Sequence, residues 1–364
     1  MQITKAETVQ LKVPFHDPGD GGGLFPGNWR ALDFVLLRLE TDTGLVGWGE
    51  GFSYFCATAT RAMIDETVIP SLIGRDPTDH QAILAELRHK LHILGRYGIS
   101  IFAISAADIG LYDLAAKAQG ISLGTYLGGR KRDDLPAYAS LIRYGDPSMA
   151  ADVASAAAGE GYGMIKLHEI ELEPVLAVRR AIGPDLELTD DVNCNWSAEQ
   201  TVEWAPALRD QANLLWLEEP IFPPEDHAAL ARLRQQTGLA IATGENLSTH
   251  HQFADLVNAG GADYIQPSLT KIGGFAETML THQLAKEAGV KVAHHAPYFG
   301  PGLLATLQVL AAVPDEGWLE WLYVGREASL FPEMAEPKDG RIAIPDGQGL
   351  GWDPDPDVIA RFQV

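Results

Sequence analysis

The chain of 364 residues is 46% hydrophobic and carries a formal net charge of −22 at pH 7. This composition predicts a globular protein with a sizeable core, and the lack of a basic surplus argues against a nucleic-acid partner. No apolar run reaches about 18 residues, so we expect no membrane span. The two cysteines, Cys56 and Cys194, are too few for a disulfide framework or a zinc site. The first residues alternate like a strand and lack the apolar core of a signal peptide, so we expect a cytoplasmic protein.

Residues 1–130 predict an α+β capping domain. Three segments alternate like antiparallel strands, and they are residues 2–13, 31–41 and 45–52. Helical patterns follow, including the amphipathic AISAADIGLYDLAAKAQG. The glycine-rich loop at 16–30 is either a flexible hairpin connection or a mobile lid that carries Phe25 or Trp29 over a pocket.

Residues 131–325 alternate between strand and helix patterns. The eight strand candidates are residues 135–141, 163–169, 185–193, 214–220, 239–246, 262–268, 290–296 and 318–324. With seven intervening helices, this α/β pattern predicts a parallel sheet closed into a TIM-like (β/α)7β barrel. A doubly wound open sheet is the alternative, but its expected glycine-rich turn after the first strand is missing. The segment 326–364, rich in Pro, Gly and Asp, is expected to return to the capping domain.

Polar residues collect where the predicted strands end. In the stretch MIKLHE, Lys166 and His168 are two residues apart and would share one face of a strand. A buried lysine usually has an anionic partner or a catalytic role. Three successive strands end in carboxylates, namely Asp190 and Asp191, Glu218 and Glu219, and Glu245. Each alone could be a helix cap or a solvated charge, but together they predict a hard divalent cation such as Mg²⁺.

The motifs DVNCNW, WLEEPI, GENL and KIGGF, in this order and spacing, resemble the mandelate racemase and muconate lactonizing enzyme branch of the enolase superfamily. GWGEGFSY near the N-terminus and PYFGPG after the seventh barrel strand add to the resemblance, which covers essentially the whole chain. The resemblance implies a capping domain over the barrel, one Mg²⁺ and removal of a proton α to a carboxylate. It also implies that the metal ligands are Asp191, Glu218 and Glu245.

The chain departs from this family at the residues expected to move protons. Relatives commonly have Lys-x-Lys on the second barrel strand, whereas this chain has Lys166 and His168. By position, Lys166 would contact the substrate carboxylate and His168 would act as an acid or base. His295 aligns with the histidine of the seventh strand, but Ser268 replaces its usual aspartate partner. Serine does not hold an imidazolium as a carboxylate does, which argues against His295 as a strong base and is compatible with a general acid. The sequence leaves two alternatives: either His168 or His295 takes the α-proton, and the other imidazole assists departure of the β-oxygen.

The predicted function is abstraction of the α-proton of an acid sugar or its lactone, followed by β-elimination as a dehydration or a cycloisomerisation. A racemase or epimerase acting through the same carbanion is the alternative. His294 is expected to face outward, and Glu320 to bind the substrate carboxylate or to pair with Lys271. The expected substrate-binding residues are Lys166, Asn193, Lys271, Ser268, Glu320, Tyr298 and Trp29. The expected partners are a small anionic carbohydrate acid and further copies of the chain, in a dimer to an octamer.

Overall fold

The computed structural model describes residues 1–17, 29–314 and 317–364. Its N-terminal part contains the three antiparallel strands expected from the sequence, β1 (Ile3–His16), β2 (Ala31–Thr41) and β3 (Val46–Gly51). The central strand β2 pairs with both neighbours. From Val9 to Phe15 every second residue of β1 is buried, because alternate side chains of a strand point to opposite faces.

Helices cover one face of this antiparallel sheet. They are α1 (Ala57–Met63), α2 (Ile69–Leu72), α3 (His80–Leu91), α4 (Ile99–Gln119) and α5 (Leu123–Tyr126). Within the described residues, α4 is the one helix long and apolar enough to cross a membrane. However, 94% of its apolar window is buried inside the structure, so packing in the protein core accounts for its composition.

The backbone of strand β3 packs directly against the backbone of α4. Gly47, Gly49 and Gly51 face the helix, and a Cβ atom at each would meet main-chain oxygens of α4, those of Gly110, Ala106 and Phe102. Because side chains repeat every two residues on a strand and about every four on a helix, alternate glycines meet successive helical turns. This contact fixes the position of Glu50 along the α4 axis, and the Glu50 side chain points away from α4.

The barrel has eight parallel strands, which are β4 (Asp134–Ser140), β5 (Met164–Leu167), β6 (Glu187–Asp191), β7 (Trp216–Glu218), β8 (Ile241–Thr243), β9 (Tyr264–Ile265), β10 (Lys291–Val292) and β11 (Leu319–Leu322). They follow the order β10-β9-β8-β7-β6-β5-β4-β11, so the last strand lies beside the first. The Ala296 N–H, just after β10, donates to Glu320 Oε2 of β11 over 2.9 Å and links the two ends. This circular order confirms the predicted barrel.

Helices connect consecutive barrel strands and pack outside them. They are α6 (Pro147–Gly159), α7 (Leu172–Ile182), α8 (Ala198–Asp210), α9 (His227–Thr237), α10 (His250–Ala259), α11 (Leu269–Ile272), α12 (Phe275–Ala288) and α13 (Pro301–Ala312). The connection from β9 to β10 carries both α11 and α12, so seven connections join the eight strands. The carboxyl ends of the strands therefore open on one rim, where active sites of such barrels lie.

The C-terminal segment returns to the antiparallel sheet. It contains β12 (Gly325–Arg326), β13 (Arg341–Ala343) and α14 (Pro356–Phe362). Strand β12 pairs with β1, and the Val364 N–H donates to the Gln10 carbonyl over 3.0 Å. Strand β13 pairs instead with β4 of the barrel. The predicted completion of the capping sheet by the tail is confirmed, whereas domain limits at 130 and 325 stay a proposal.

Candidate active site

Side chains that point into the barrel form two layers of different chemistry. The lower layer is an apolar plug of Tyr138, Met164, Trp216, Ala242, Tyr264 and Ala293. Two residues further along their strands, the inward positions are polar and include Ser140, Lys166, Glu218 and His295. Because every second side chain of a strand points inward, the inward positions change from apolar at the bottom of the barrel to polar at its open rim.

Asp191, Glu218 and Glu245 form a compact carboxylate cluster on three successive strand ends. One oxygen from each side chain lies within 4.8 Å of the others, and no other group of this kind occurs among the described residues. Asp191 Oδ2 is buried and receives no hydrogen bond of acceptable geometry. Burial and the Asp191 charge raise the pKa of Glu218 well above its usual value. An all-oxygen donor set of three carboxylates this close together fits a hard cation such as Mg²⁺.

Lys166 stands at the centre of the cluster. Its Nζ lies 2.6 Å from Glu218 Oε1, 3.1 Å from Asp191 Oδ2 and 3.2 Å from Glu320 Oε1. Burial alone would lower the pKa of Lys166, but these three carboxylates raise it well above its usual value. Lys166 is therefore a fixed positive charge beside the site. The alternative that Glu320 pairs with Lys271 is wrong, because Glu320 contacts Lys166 instead.

His168 shares the inward face with Lys166, as the sequence predicted. Its Nδ1 contacts the Leu141 carbonyl, and a carbonyl can only accept, so Nδ1 carries the proton of the neutral ring. Its Nε2, which then keeps a lone pair, lies 3.5 Å from Asp191 Oδ2. Burial lowers the pKa of His168 to about 4, although Asp191 acts in the opposite direction. His168 is thus a neutral imidazole beside the Asp191 end of the cluster.

His295 approaches the other end of the cluster. Its Nε2 lies 3.0 Å from Glu245 Oε2, and its Nδ1 lies 3.2 Å from Ser268 Oγ and 3.1 Å from the Tyr298 hydroxyl. The two hydroxyls also contact each other. Ser268 does lie beside the imidazole, but the Tyr298 hydroxyl contacts the same nitrogen, Nδ1. The sequence placed Tyr298 in the pocket lining and did not foresee this contact.

A second cation lies beside Glu245. Lys271 Nζ is 3.3 Å from Glu245 Oε1 and donates to Asn246 Oδ1 over 2.9 Å. Asn246 in turn donates to both oxygens of Glu219, at 3.1 and 3.3 Å. Burial, together with Glu245 and Asp191, raises the pKa of Glu219 to about 8. Asn246 thus links Lys271 to a buried carboxyl behind the cluster, a role that sequence reasoning did not assign.

Two further polar side chains adjoin Asp191. Asn193 donates from Nδ2 to Asp191 Oδ1 over 3.0 Å, and its backbone lies in the left-handed region at φ 45. Arg143, which the sequence analysis missed, donates from Nε to the His168 carbonyl over 2.7 Å and from an NH2 nitrogen to Asn193 Oδ1 over 3.4 Å. The available signal was a charged residue just beyond the first barrel strand.

The remaining predicted residues lie further from the cluster. Trp29 is buried, with ring centroids 5.0 Å from Phe15 and 5.2 Å from Tyr54, and Tyr54 lies 6.2 Å from the Tyr298 ring. The structure therefore does not bring Trp29 to the carboxylates but places it in an aromatic cluster behind Tyr298. Phe25 and most of the predicted lid lie outside the described residues. His294 faces away from the site, with Nε2 2.8 Å from His282 Nε2.

Two family patterns match the chain along most of its length. The pattern described as mandelate racemase/muconate lactonizing enzyme, N-terminal domain, matches residues 27–128. The pattern described as enolase C-terminal domain-like matches residues 148–358. The two matches cover β2 and β3 of the capping sheet with its helices, and the barrel strands β5 to β11, which carry the carboxylate cluster.

Similar proteins of known activity and structure share this length. A D-galactarolactone cycloisomerase from Agrobacterium fabrum is 33% identical over 100% of this chain and 99% of its own. An L-talarate/galactarate dehydratase from Salmonella typhimurium is 32% identical over 96% of this chain and 88% of its own. The crystal structure of an L-talarate dehydratase from Polaromonas sp. JS666, complexed with Mg and L-glucarate, superposes with a TM-score of 0.85 at 29% identity, covering 100% of this chain and 97% of its own.

Proposed function

The chain belongs to the mandelate racemase and muconate lactonizing enzyme family of the enolase superfamily, and from this premise we propose its reaction. It removes the proton α to the carboxylate of an acid sugar or its lactone and then expels the β-oxygen, as a dehydratase or a cycloisomerase. The observation that carries this proposal is the placement of two imidazoles at the two ends of one carboxylate cluster, His168 beside Asp191 and His295 beside Glu245.

Asp191, Glu218 and Glu245 would hold Mg²⁺, since their oxygens lie close together and the first two side chains are buried. When bound, Mg²⁺ supplies Lewis-acid stabilisation of the negative charge that develops on the substrate carboxylate. Lys166 places a second positive charge at the same point, and the apolar plug below it excludes water from this side of the site. A charge in such a dry environment interacts more strongly than it does in water.

His168 is the residue that would take the α-proton. Its Nδ1–H is committed to the Leu141 carbonyl, so the ring is held in one orientation with the Nε2 lone pair towards the cluster. Because burial keeps His168 neutral, its Nε2 lone pair is free at neutral pH, while the lowered pKa makes it a weaker base than an exposed imidazole. Lys166, on the same face, would fix the substrate carboxylate next to it.

His295 is the residue that would give a proton to the departing β-oxygen. Its Nδ1 has only the hydroxyls of Ser268 and Tyr298 as neighbours among the described residues, and neither carries a charge. These two hydroxyls hold the Nδ1 side of the ring, so Nε2, which faces the cluster, is the nitrogen that would deliver the proton to the departing oxygen. This asymmetry between the two histidines favours elimination.

Racemisation or epimerisation is the second candidate, because imidazoles at both ends of the cluster could exchange a proton on either face of the substrate. A library of acid sugars and their lactones, incubated with the Mg²⁺-loaded enzyme in D₂O, separates the candidates. A 2-keto-3-deoxy product supports dehydration, and a product isomeric with a lactone substrate supports cycloisomerisation. Deuterium at the α-carbon of a mixture of the substrate and its epimer, with no keto acid formed, would overturn elimination in favour of epimerisation.

Single variants test the two roles. We expect His168→Asn to abolish α-proton exchange, and His295→Asn to abolish product formation while slow exchange continues. The exposed His251, changed to Asn, is the control. Full turnover by His295→Asn would contradict its assigned role. We also propose a cytoplasmic location, which fractionation of cells tests. We further propose a homo-oligomer, which sedimentation of the purified protein tests.

A further inference from the structure

Lys166, Lys271 and Arg143 lie beside the carboxylate cluster, and these three cations differ in how their charge is matched. Lys166 contacts three carboxylates and Lys271 contacts Glu245. Arg143 has no carboxylate of the described residues within ion-pair distance, and the acceptors it contacts are the His168 carbonyl and the Asn193 side-chain oxygen. Glu169, Asp191 and Asp190 act on the guanidinium only at longer range, so its hydrogen-bonding edge meets neutral acceptors although the chain carries a net charge of −22.

The segment that carries Arg143 is firmly anchored. The backbone N–H groups of Tyr144 and Gly145 donate to the two oxygens of Glu169, at 2.8 and 2.9 Å. The Tyr144 hydroxyl donates to Asp17 of the capping unit over 2.7 Å. Both oxygens of Glu169 are thereby occupied by main-chain donors, and the guanidinium is fixed at the junction of capping unit and barrel.

Arg143 also lies within reach of the metal site. Asn193 accepts from Arg143 and donates to Asp191, so one amide group and two hydrogen bonds separate the guanidinium from a proposed metal ligand. A six-carbon chain whose first carboxylate sits at the cluster spans such a separation. A guanidinium has five N–H donors, of which the two contacts above use two, and its planar fork matches a carboxylate.

We propose that Arg143 binds the distal carboxylate of the substrate, so that the site prefers aldarates, which are sugar acids oxidised at both ends, to aldonates with one carboxylate. This inference rests on the proposed function and names its substrate class. The first carboxylate is held by the cluster and Lys166, and the second by Arg143. The preference follows from charge, because the neutral hydroxymethyl group of an aldonate leaves the guanidinium without an anion.

The test compares a six-carbon aldarate with the aldonate of the same configuration. Dissociation constants are measured by calorimetry on the Mg²⁺-loaded wild type and on Arg143→Met, Arg143→Lys and the exposed control Arg209→Met. We expect the wild type and the control to bind the aldarate at least 10-fold more tightly. Arg143→Met should lose about 100-fold for the aldarate and less than 3-fold for the aldonate, and Arg143→Lys should lose an intermediate amount.

Equal losses on the two ligands would overturn the proposal, since they would mean that Arg143 only positions the strand end of His168. A wild type that binds the aldonate as tightly as the aldarate would overturn it too. Failure of the proposed function looks different. In that case the aldarate binds with an Arg143-dependent preference, but no α-proton exchange occurs in D₂O.

Discussion

Nζ of Lys166 lies 2.6 Å from Oε1 of Glu218 in the buried polar layer of the barrel, and it is the positive charge that faces Asp191 and Glu320 as well. Removing one partner of such a buried network leaves the remaining charges uncompensated, which typically costs about 3–5 kcal/mol.

We therefore expect Lys166→Met to lower the free energy of unfolding by about 3 kcal/mol in EDTA. The loss should be smaller with saturating Mg²⁺, because a divalent cation on the same carboxylates offsets part of the missing charge and stabilises the folded state by binding. Urea unfolding in both buffers measures the effect, with the exposed Lys5→Met as control. The same loss in both buffers would show that Lys166 contributes through packing alone.

Metal binding should depend on Glu218. We expect Glu218→Gln to weaken Mg²⁺ binding by at least roughly 100-fold, because the amide retains the shape but not the charge of the ligand. Glu187 is exposed at the first position of β6, the strand that ends in Asp191. The control variant Glu187→Gln should therefore bind Mg²⁺ like the wild type. Calorimetric titration with Mg²⁺ gives both constants, and wild-type affinity in Glu218→Gln would refute the proposed ligand set.

The hydroxyl of Tyr298 should matter for turnover more than for binding. Burial raises the pKa of Tyr298 and keeps the phenol protonated, so its neutral oxygen can accept from Nδ1–H of a protonated His295 and hold the ring in place. We expect Tyr298→Phe to lower kcat by about 10- to 100-fold, the worth of roughly 1.5–3 kcal/mol, and to leave KM nearly unchanged.

Combining Tyr298→Phe with Ser268→Ala should cost less than the sum of the two single changes, because both hydroxyls hold the same nitrogen. Tyr264→Phe removes a buried hydroxyl from the barrel floor and serves as the control. A rise in KM with kcat unchanged would place Tyr298 in substrate binding instead.

Glu50 should make stability depend on pH. It lies between β3 and the first turn of α13, where Oε2 accepts a hydrogen bond from the Gly302 N–H over 2.7 Å. Burial raises the pKa of Glu50 from 4.5 to about 7, so between these values the folded chain keeps a proton that the unfolded chain releases. Stability is therefore lost as the pH rises through this window, by about 3 kcal/mol.

Glu50→Gln removes that titration but keeps an oxygen for the Gly302 N–H. We expect the variant to gain stability relative to the wild type on going from pH 4.5 to pH 8, by about 3 kcal/mol. Urea unfolding at several pH values in EDTA follows the difference, and the exposed Glu203→Gln should run parallel to the wild type. A constant difference across this range would mean that Glu50 is ionised throughout.

The architecture was accessible from the sequence because it rests on local periodicity. Each barrel strand is a short apolar run, and the polar residue at its carboxyl end falls two positions beyond a plug residue, as Trp216 and Glu218 illustrate. Closeness of Asp191, Glu218 and Glu245 follows once the strands are parallel and adjacent in sequence order.

The pairing of side chains across the barrel was not accessible in this way. Whether Glu320 contacts Lys166 or Lys271 depends on side-chain rotamers and on the curvature of the sheet, which no sequence spacing specifies. Tyr298 reaches His295 because the chain turns sharply after β10, and Arg143 was overlooked because it follows the strand by three residues. These contacts join segments whose relative orientation is decided only in the folded state.

The alternate glycines of β3 have a consequence for motion. A shift of the strand by one residue along α4 would drive the side chains of Trp48 and Glu50 into the helix backbone, where only hydrogen atoms fit. Strand β3 therefore cannot slide along α4, and the antiparallel sheet and α4 must move as one rigid body. Any opening of the cap over the barrel is then a hinged rotation of that whole part, and it carries Glu50 away from α13 in the same movement.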